Sequence, residues 1–123
     1  KAGGDVRCFN IGDSRIYRLR SGALQQLTTD QTKRVTRNNR VKLLVTNAIG
    51  IKENVVADVS QWDWVKGDLL MVMSDGISDV VSDDEMCRLV SNPDISMIEK
   101  SNALIDASIS NGSLDDKTLV FAF

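Results

Sequence analysis

The first part of the chain alternates short apolar segments with turn residues, and this pattern predicts β-strands. Val6 to Ile11 has the pattern of a short strand, and Arg15 to Arg20 alternates apolar with basic side chains. Ser21-Gly22 follows, and Ala23 to Thr28 continues the extended pattern. Two extended segments joined by a short turn that contains glycine predict a β-hairpin.

Three further segments predict strands, and a polar segment precedes them. The polar and basic segment Thr29 to Lys42 predicts a loop or a small excursion from the core. Asn54 to Trp62 alternates apolar and polar side chains as a strand does. After the turn at Lys66-Gly67-Asp68, the continuous apolar run Leu69 to Met73 is typical of a buried strand. Leu119 to Phe123 is predicted to close the chain as a strand.

Two helices are predicted between the last two strands. Ser82 with Glu85, and Ser96 with Glu99, have the spacing of a capping box. In this motif the serine side chain accepts a hydrogen bond from the backbone amide of the glutamate, and the glutamate side chain accepts one from the backbone amide of the serine. Gly112 is placed where a glycine ends a helix. Three isoleucines are predicted to line one side of the second helix: Ile98, Ile105 and Ile109.

The order of these elements, strands first and then helices and a last strand, predicts a layered α+β or α/β fold. The 123 residues suffice for one domain with one core, and 42% hydrophobic with 26% charged residues is ordinary for a globular protein. No apolar run approaches the roughly 20 residues that span a bilayer, and the first residues do not have the pattern of a signal peptide. We therefore expect a cytoplasmic protein.

The cysteine and histidine content narrows the possible chemistry. Cys8 and Cys87 lack the Cys-x-x-Cys spacing, so we expect two reduced, buried thiols. The sequence contains no histidine, which excludes a Ser-His-Asp triad, a Cys-His dyad and a histidine-ligated zinc site within this chain. The net charge of −2 argues neither for nor against an anionic partner.

Three aspartates lie at predicted strand ends, beside small or polar residues. Asp13 follows the first strand, Asp75 follows the apolar run Leu69 to Met73, and Asp115 precedes the last strand. Carboxylates that converge from neighbouring strands suit Mg²⁺ or Mn²⁺, which prefer oxygen ligands. Aspartates are also common in turns, where the side chain bonds nearby amides. From their positions alone, both interpretations stay open.

A set of short motifs resembles the protein phosphatase 2C family, whose members are metal-dependent Ser/Thr protein phosphatases. The resemblance runs in order over nearly the whole chain. It is carried by Asn10-Ile11-Gly12-Asp13-Ser14-Arg15, Leu27-Thr28-Thr29-Asp30, Val45-Thr46-Asn47-Ala48-Ile49-Gly50, the block from Gly67 to Gly76 with Asp79-Val80-Val81-Ser82 after it, and Gly112-Ser113-Leu114-Asp115-Asp116-Lys117-Thr118.

The resemblance implies a fold, a cofactor and a set of metal ligands. The family folds as two antiparallel sheets packed face to face with flanking helices, so residues 1–123 would form a single partial domain of this α+β sandwich. Asp75 and Asp115 match aspartates that hold a catalytic Mn²⁺ or Mg²⁺, and Asp13 matches a ligand of a third, weaker metal. A metal-activated water would hydrolyse phosphoserine or phosphothreonine.

The resemblance covers only the C-terminal part of the family's domain. The upstream segments that carry an acidic ligand, a phosphate-binding arginine and the D-G-x-G-G motif are absent from the sequence, which begins at Lys1 rather than Met. We therefore expect a fragment that is inactive alone, and that requires the missing N-terminal half or a second copy to complete the fold. The alternative is a pseudophosphatase or regulatory interaction module without catalysis.

The choice of partner depends on the basic segment from Lys33 to Lys42. The segment is a solvated loop face, or it receives an acidic or phosphorylated protein substrate, because arginine pairs bidentately with phosphate. Nucleic acid is the weakest alternative, because no aromatic residue interleaves the basic ones, and we expect no membrane partner. Asp116 and Gln31 stand where the family usually has Asn and His, and neither role follows from the sequence.

Overall fold

The computed structural model describes residues 3–51 and 53–123. All its strand pairs are antiparallel. The elements, in chain order, are β1 (Gly3–Asn10), β2 (Arg15–Arg20), β3 (Ala23–Gln26), β4 (Thr32–Arg37), β5 (Arg40–Val45), β6 (Asp58–Val65), β7 (Leu69–Met73), α1 (Asp75–Ser78), α2 (Asp83–Val90), α3 (Met97–Ser110) and β8 (Leu119–Ala122).

The central sheet contains four strands in the order β3-β2-β7-β8. Its inner face carries the apolar residues of β2 and β7, among them Tyr17 and Met71, which are fully buried. Helices α2 and α3 cover this face with Met86, Val90 and Leu104. The core thus lies between one sheet and one layer of helices, as expected of an α+β fold, and the predicted β2–β3 hairpin is confirmed.

A second sheet of two strands, β1 and β6, lies over the outer face of the central sheet. Arg18 of β2 contacts it: the guanidinium lies 5.9 Å from the ring centroid of Trp62 and donates to the carboxylate of Asp63 at 3.0 Å. This cover is partial, because Val72 of β7 and its partner Val120 of β8, both on that outer face, are 40% and 55% exposed. The two sheets therefore face each other as layers of a sandwich with an incomplete apolar interface.

The segment predicted as a loop or excursion, Thr29 to Lys42, is largely a β-hairpin. Strands β4 and β5 pair from Thr32 opposite Val45 to Arg37 opposite Arg40. Asn38 and Asn39 connect them with φ angles of 51° and 60°. This is the left-handed conformation that two-residue hairpin turns require and that asparagine tolerates. The loop alternative was wrong, because the signal of the hairpin lies in its turn rather than in its polar strands. A separate hairpin agrees with the other alternative, a small excursion from the core.

Two other predictions need correction. The strand predicted from Asn54 begins at Asp58 and continues to Val65, because its register is set by pairing with β1. In α3, Ile98 and Ile109 are 72% and 58% exposed, so of the three isoleucines on the predicted side only Ile105 packs against the core. The helix instead buries Lys100, Leu104 and Ser108, since its orientation is fixed by packing on the sheet rather than by its most apolar side chains.

The helix ends and the cysteines agree with the sequence. Ser96 and Glu99 form the complete capping box, whereas Ser82 accepts from the Glu85 amide only. Both cysteines are free; Cys8 is buried and Cys87 is half-buried. Within the two described ranges, no helix has the length and apolarity needed to cross a membrane.

A buried carboxylate holds the turn before β7. Asp68 is 2% exposed and accepts two hydrogen bonds from Arg20, both of 2.7 Å, and one from the Val65 amide of 3.0 Å. The Arg20 guanidinium lowers the pKa of Asp68 to about 2. The Gly-Asp pair of the family motif therefore has a structural role here, because it ties β2 to the start of β7.

Asp68→Asn is expected to lower the free energy of unfolding by about 2 kcal/mol, because Arg20 loses its bidentate partner but keeps access to solvent. Denaturant titration measures this loss. The ionised Asp68 stabilises the fold above about pH 4, and this contribution disappears as the pH falls towards about 2, so the difference between variant and wild type should shrink over that range. Asp63→Asn removes the exposed partner of the same arginine and should change stability much less; equal losses would contradict the assignment.

Candidate metal centre

Three strands of the central sheet end at one edge, and their loops carry the predicted ligands. Arg15 of β2 pairs with Met73 of β7, which in turn pairs with Leu119 of β8. Asp13 lies just before β2, Asp75 just after β7, and Asp115 in the loop before β8. The register therefore places the three predicted carboxylates at the same edge of the sheet.

Backbone hydrogen bonds join the loop after β7 to the loop before β8. The Ser74 amide donates to the Thr118 carbonyl at 3.1 Å, and the Thr118 amide donates to Ser74 Oγ at 3.0 Å. Ser113 Oγ donates to the Gly76 carbonyl at 2.7 Å. These bonds close the Ser-Asp-Gly segment onto the Gly-Ser-x-Asp segment, so Asp75 and Asp115 are held against each other by their neighbours.

Gly76 permits this close approach. A Cβ atom at Gly76 would overlap the carbonyl oxygen of Asp116, and that carbonyl oxygen also accepts from Ser74 Oγ at 3.3 Å. The glycine of the Ser-Asp-Gly motif is thus required by space, since its own φ angle is not in the left-handed region. Any side chain here must separate the two loops that carry Asp75 and Asp115.

The carboxylates at this edge repel one another. Burial raises the pKa of Asp75 above its ordinary value. The charges of three neighbouring carboxylates raise it further, and so does a hydrogen bond between protonated Asp75 and Asp115. These neighbours are Asp13, Asp115 and Asp79. A divalent cation bound among these carboxylates would favour their ionised forms.

Asp79 is a fourth carboxylate that the sequence interpretation did not assign to the site. It is four residues after Asp75, and its amide donates to the Asp75 carbonyl at 2.9 Å at the end of α1. Burial and then Asp13 raise its pKa, while Arg15 lowers it. The i, i+4 spacing on a short helix puts both side chains on one face, which is a signal that the sequence does contain.

The loop that carries Asp13 is fixed by polar side chains. The backbone amide of Gly12 donates to the side-chain oxygen Oε1 of Gln31 at 2.7 Å, and the backbone amide of Gln31 donates to the Gly12 carbonyl at 3.1 Å. Asn10 Nδ2 donates to the carbonyls of Gly12 and Thr29, each at 3.3 Å. Gln31, whose role did not follow from the sequence, therefore positions Gly12, the residue next to Asp13.

Arg15 of the Gly-Asp-Ser-Arg motif pairs with Asp30 of the Leu-Thr-x-Asp motif. Its Nε and Nη2 atoms donate to the Asp30 carboxylate at 2.9 and 2.6 Å. Nη1 donates to Tyr17 Oη at 2.9 Å, and Tyr17 donates to Asp83 Oδ1 at 2.9 Å. This network joins the Asp13 loop to the first turn of α2, so both motifs brace the edge.

The donor set fits a hard divalent cation. All four side chains offer carboxylate oxygens, which Mg²⁺ and Mn²⁺ prefer over nitrogen or sulfur ligands. In the part of the chain that the structure describes, no three His, Cys, Asp or Glu side chains form a group that could hold a metal ion. The backbone amide of Asp116 donates to Asp115 Oδ1 at 2.8 Å, and the side chain of Asp116 is exposed.

Comparison with known proteins agrees with this geometry. The model of the family described as protein phosphatase 2C matches residues 1–111. The Ser/Thr protein phosphatase PstP of Mycobacterium tuberculosis is 31% identical over 98% of this chain and 25% of its own length. The S. agalactiae serine/threonine phosphatase superposes with a TM-score of 0.81 at 25% identity, over 95% of this chain and 53% of its own.

A second solved structure shows a relative with metal. The catalytic domain of PstP in complex with two manganese ions superposes with a TM-score of 0.73 at 26% identity, over 98% of this chain and 54% of its own. The chain thus spans between a quarter and about half the length of the relatives it matches. It belongs to the protein phosphatase 2C family and matches the C-terminal part of its members.

Proposed function

We propose that this chain is part of a metal-dependent phosphatase that hydrolyses phosphoserine and phosphothreonine in proteins. The observation that supports it best is the convergence of Asp13, Asp75 and Asp115 at one sheet edge, held by the contacts of Ser74, Gly76 and Ser113. Asp75 and Asp115 would hold one Mn²⁺ or Mg²⁺, and Asp13 with Asp75 would hold another. A divalent cation supplies Lewis acidity and activates water at neutral pH.

The chain's own residues would contribute position and charge. Ser74 and Gly76 keep the Asp75 loop against the Asp115 loop, and Gln31 keeps the Asp13 loop in place. The carboxylates stay ionised when a cation neutralises their mutual repulsion. Positioning of this kind is what phosphoryl transfer requires, because most of the catalysis comes from orientation and electrostatic stabilisation.

We propose further that residues 1–123 form one part of a larger catalytic domain and are inactive alone. The support is that the apolar face between the two sheets is incompletely covered, and that the relatives extend well beyond the matched region. The carboxylates described here provide one side of the metal site only. Without the other side, a substrate phosphoryl group and an attacking water have nothing to align them.

Hydrolysis of a phosphothreonine peptide with Mn²⁺ tests this proposal. The chain should show no Mn²⁺-dependent turnover, whereas the protein produced from its full reading frame should show turnover that Asp75→Asn abolishes. Asp106→Asn, an exposed aspartate on α3, is the matched control and should leave turnover unchanged. An inactive full-length protein would instead support the pseudophosphatase alternative. Turnover by the chain itself would contradict the claim of inactivity.

A further inference from the structure

Positive charge is concentrated in the hairpin formed by β4 and β5. Five of the 15 lysines and arginines lie between Thr32 and Val45, and none of the 17 acidic residues does. The remainder of the chain is therefore strongly acidic, including the edge with Asp75. Such a separation of charge makes the hairpin the natural place for an anionic partner to be attracted.

The strand register sorts the hairpin side chains into two faces. Residues directly opposite each other on antiparallel strands share a face, and faces alternate along each strand. The pairs Lys33–Leu44, Val35–Lys42 and Arg37–Arg40 share one face. That face, which we call the cationic face, carries four of the five cations: Lys33, Arg37, Arg40 and Lys42. The opposite face carries the fifth, Arg34, beside exposed aliphatic side chains.

The cations of this face are available to a partner. All four are exposed, and within residues 3–51 and 53–123 none of them forms a salt bridge. By contrast, Arg15, Arg18 and Arg20 are each paired with an aspartate. Arginines without a salt-bridge partner have a guanidinium group available for bidentate binding of carboxylate or phosphate oxygens.

The hairpin is anchored directly beside the candidate metal centre. Gln31, the residue before β4, exchanges two hydrogen bonds with Gly12, next to Asp13. The Thr46 amide, just after β5, donates to the Gln31 carbonyl at 2.8 Å and closes the base of the hairpin. The cationic face therefore begins at the acidic edge, which would otherwise repel a negatively charged phosphoprotein.

We propose that the cationic face binds acidic residues that flank the phosphorylated residue of a protein substrate, an inference that rests on the proposed function. Each six-residue strand is about 20 Å long, so it reaches acidic residues within roughly six positions of the phosphoserine or phosphothreonine. The substrate class is thus phosphoproteins with an acidic run beside the modified residue. The face accounts for recognition, whereas the carboxylate edge accounts for metal binding.

Fluorescence anisotropy of labelled phosphothreonine peptides, with the chain in EDTA, tests this proposal without metal. A peptide with a run of glutamates beside the phosphothreonine should bind at least about tenfold tighter than the same peptide with glutamines, because only the glutamates can form ion pairs with the cationic face. Raising NaCl from about 50 mM to about 500 mM should remove most of this preference, because the face is exposed.

Two variants with the same change in net charge distinguish binding by the cationic face from a general effect of net charge. The first replaces Lys33, Arg37, Arg40 and Lys42 with glutamine and should abolish the preference for the acidic peptide. The second replaces four exposed cations outside the cationic face with glutamine and should keep the preference for the acidic peptide: Arg7, Arg34, Lys66 and Arg88. Circular dichroism checks that both variants are folded, and the replaced side chains are exposed, so folding should be preserved.

Several outcomes would overturn the proposal. Equal loss in both variants would mean a net-charge effect, and equal binding of the glutamate and glutamine peptides would mean that no acidic run is recognised. Binding to phosphatidylserine vesicles that is tighter than peptide binding, and lost in the first variant, would assign the face to a membrane. Mn²⁺ binding at Asp75 is measured separately, so a chain that binds Mn²⁺ but ignores the acidic run contradicts this inference and leaves the proposed function intact.

Discussion

Gly76→Ala is expected to destabilise the chain by about 3 kcal/mol and to weaken Mn²⁺ binding as well. The added Cβ would overlap the Asp116 carbonyl oxygen, so the loops carrying Asp75 and Asp115 must separate. Overpacking of a tight contact costs typically 1–3 kcal/mol, and about the upper end applies here because both neighbours are backbone atoms. The hydrogen bonds of Ser74 and Ser113 across the two loops would lengthen at the same time.

Thermal or denaturant unfolding measures the stability loss, and calorimetric Mn²⁺ titration measures the change in affinity. Gly4→Ala is the matched control, because a Cβ at Gly4 has no atom within 4 Å and its backbone is not left-handed. That variant should be neutral or slightly stabilising. If Gly76→Ala were as stable as Gly4→Ala, the close contact between the two loops would not exist as described.

Asp75→Asn is expected to affect metal binding and stability in opposite directions. The raised pKa of Asp75 means that its ionised form is unfavourable in the metal-free fold, because burial and three carboxylates oppose it. Removing that charge should leave the metal-free chain at least as stable as wild type. The same change removes a ligand oxygen and a negative charge, so Mn²⁺ affinity should fall by about tenfold or more.

This opposition distinguishes a ligand from a structural residue. Neutralising a structural aspartate such as Asp68 lowers the free energy of unfolding of the chain. Neutralising a metal ligand that lies among like charges raises the free energy of unfolding of the metal-free chain. Asp106→Asn, on an exposed helix position, should change neither quantity. A fall in stability with unchanged Mn²⁺ affinity in Asp75→Asn would show that Asp75 forms a turn and does not bind metal.

Much of the fold follows from the sequence because strand pattern and turn chemistry agree there. The β2–β3 hairpin, the buried strand β7 and both capped helices are local features, and each was predicted close to its observed position. The β4–β5 hairpin was missed because its side chains are all exposed or half-buried, so no apolar alternation marks it. Its only signal is Asn38-Asn39, a pair that favours a tight hairpin turn.

The start of β6 and the buried face of α3 could not be obtained from local pattern. Asp58 begins β6 because it pairs with Asn10, and Lys100 is buried because α3 packs against the sheet at that side. Both are decided by partners distant in sequence. Apolar content alone therefore identifies a helix or strand but does not fix which of its residues are buried.

The location of the candidate site was predicted in part, and its metal binding stays a prediction. Asp13, Asp75 and Asp115 were identified by strand ends and by resemblance, and they occur at one edge. Asp79 was recognisable from its spacing to Asp75 but was not used. The bracing by Gln31 and the contact at Gly76 were not predictable, because each depends on a backbone approach between loops far apart in the chain.

The most direct test of the account is to locate Mn²⁺ on the ¹⁵N-labelled chain by paramagnetic broadening of its amide signals. If Asp13, Asp75 and Asp115 form one side of a metal centre, small additions of Mn²⁺ should first erase the signals of 12–14, 75–79 and 113–117. Signals of the β4–β5 hairpin tip and of the β2–β3 turn, at the opposite end of the central sheet, should persist, and Asp75→Asn should reduce the effect. Broadening that begins elsewhere, or that is uniform along the chain, would contradict the account.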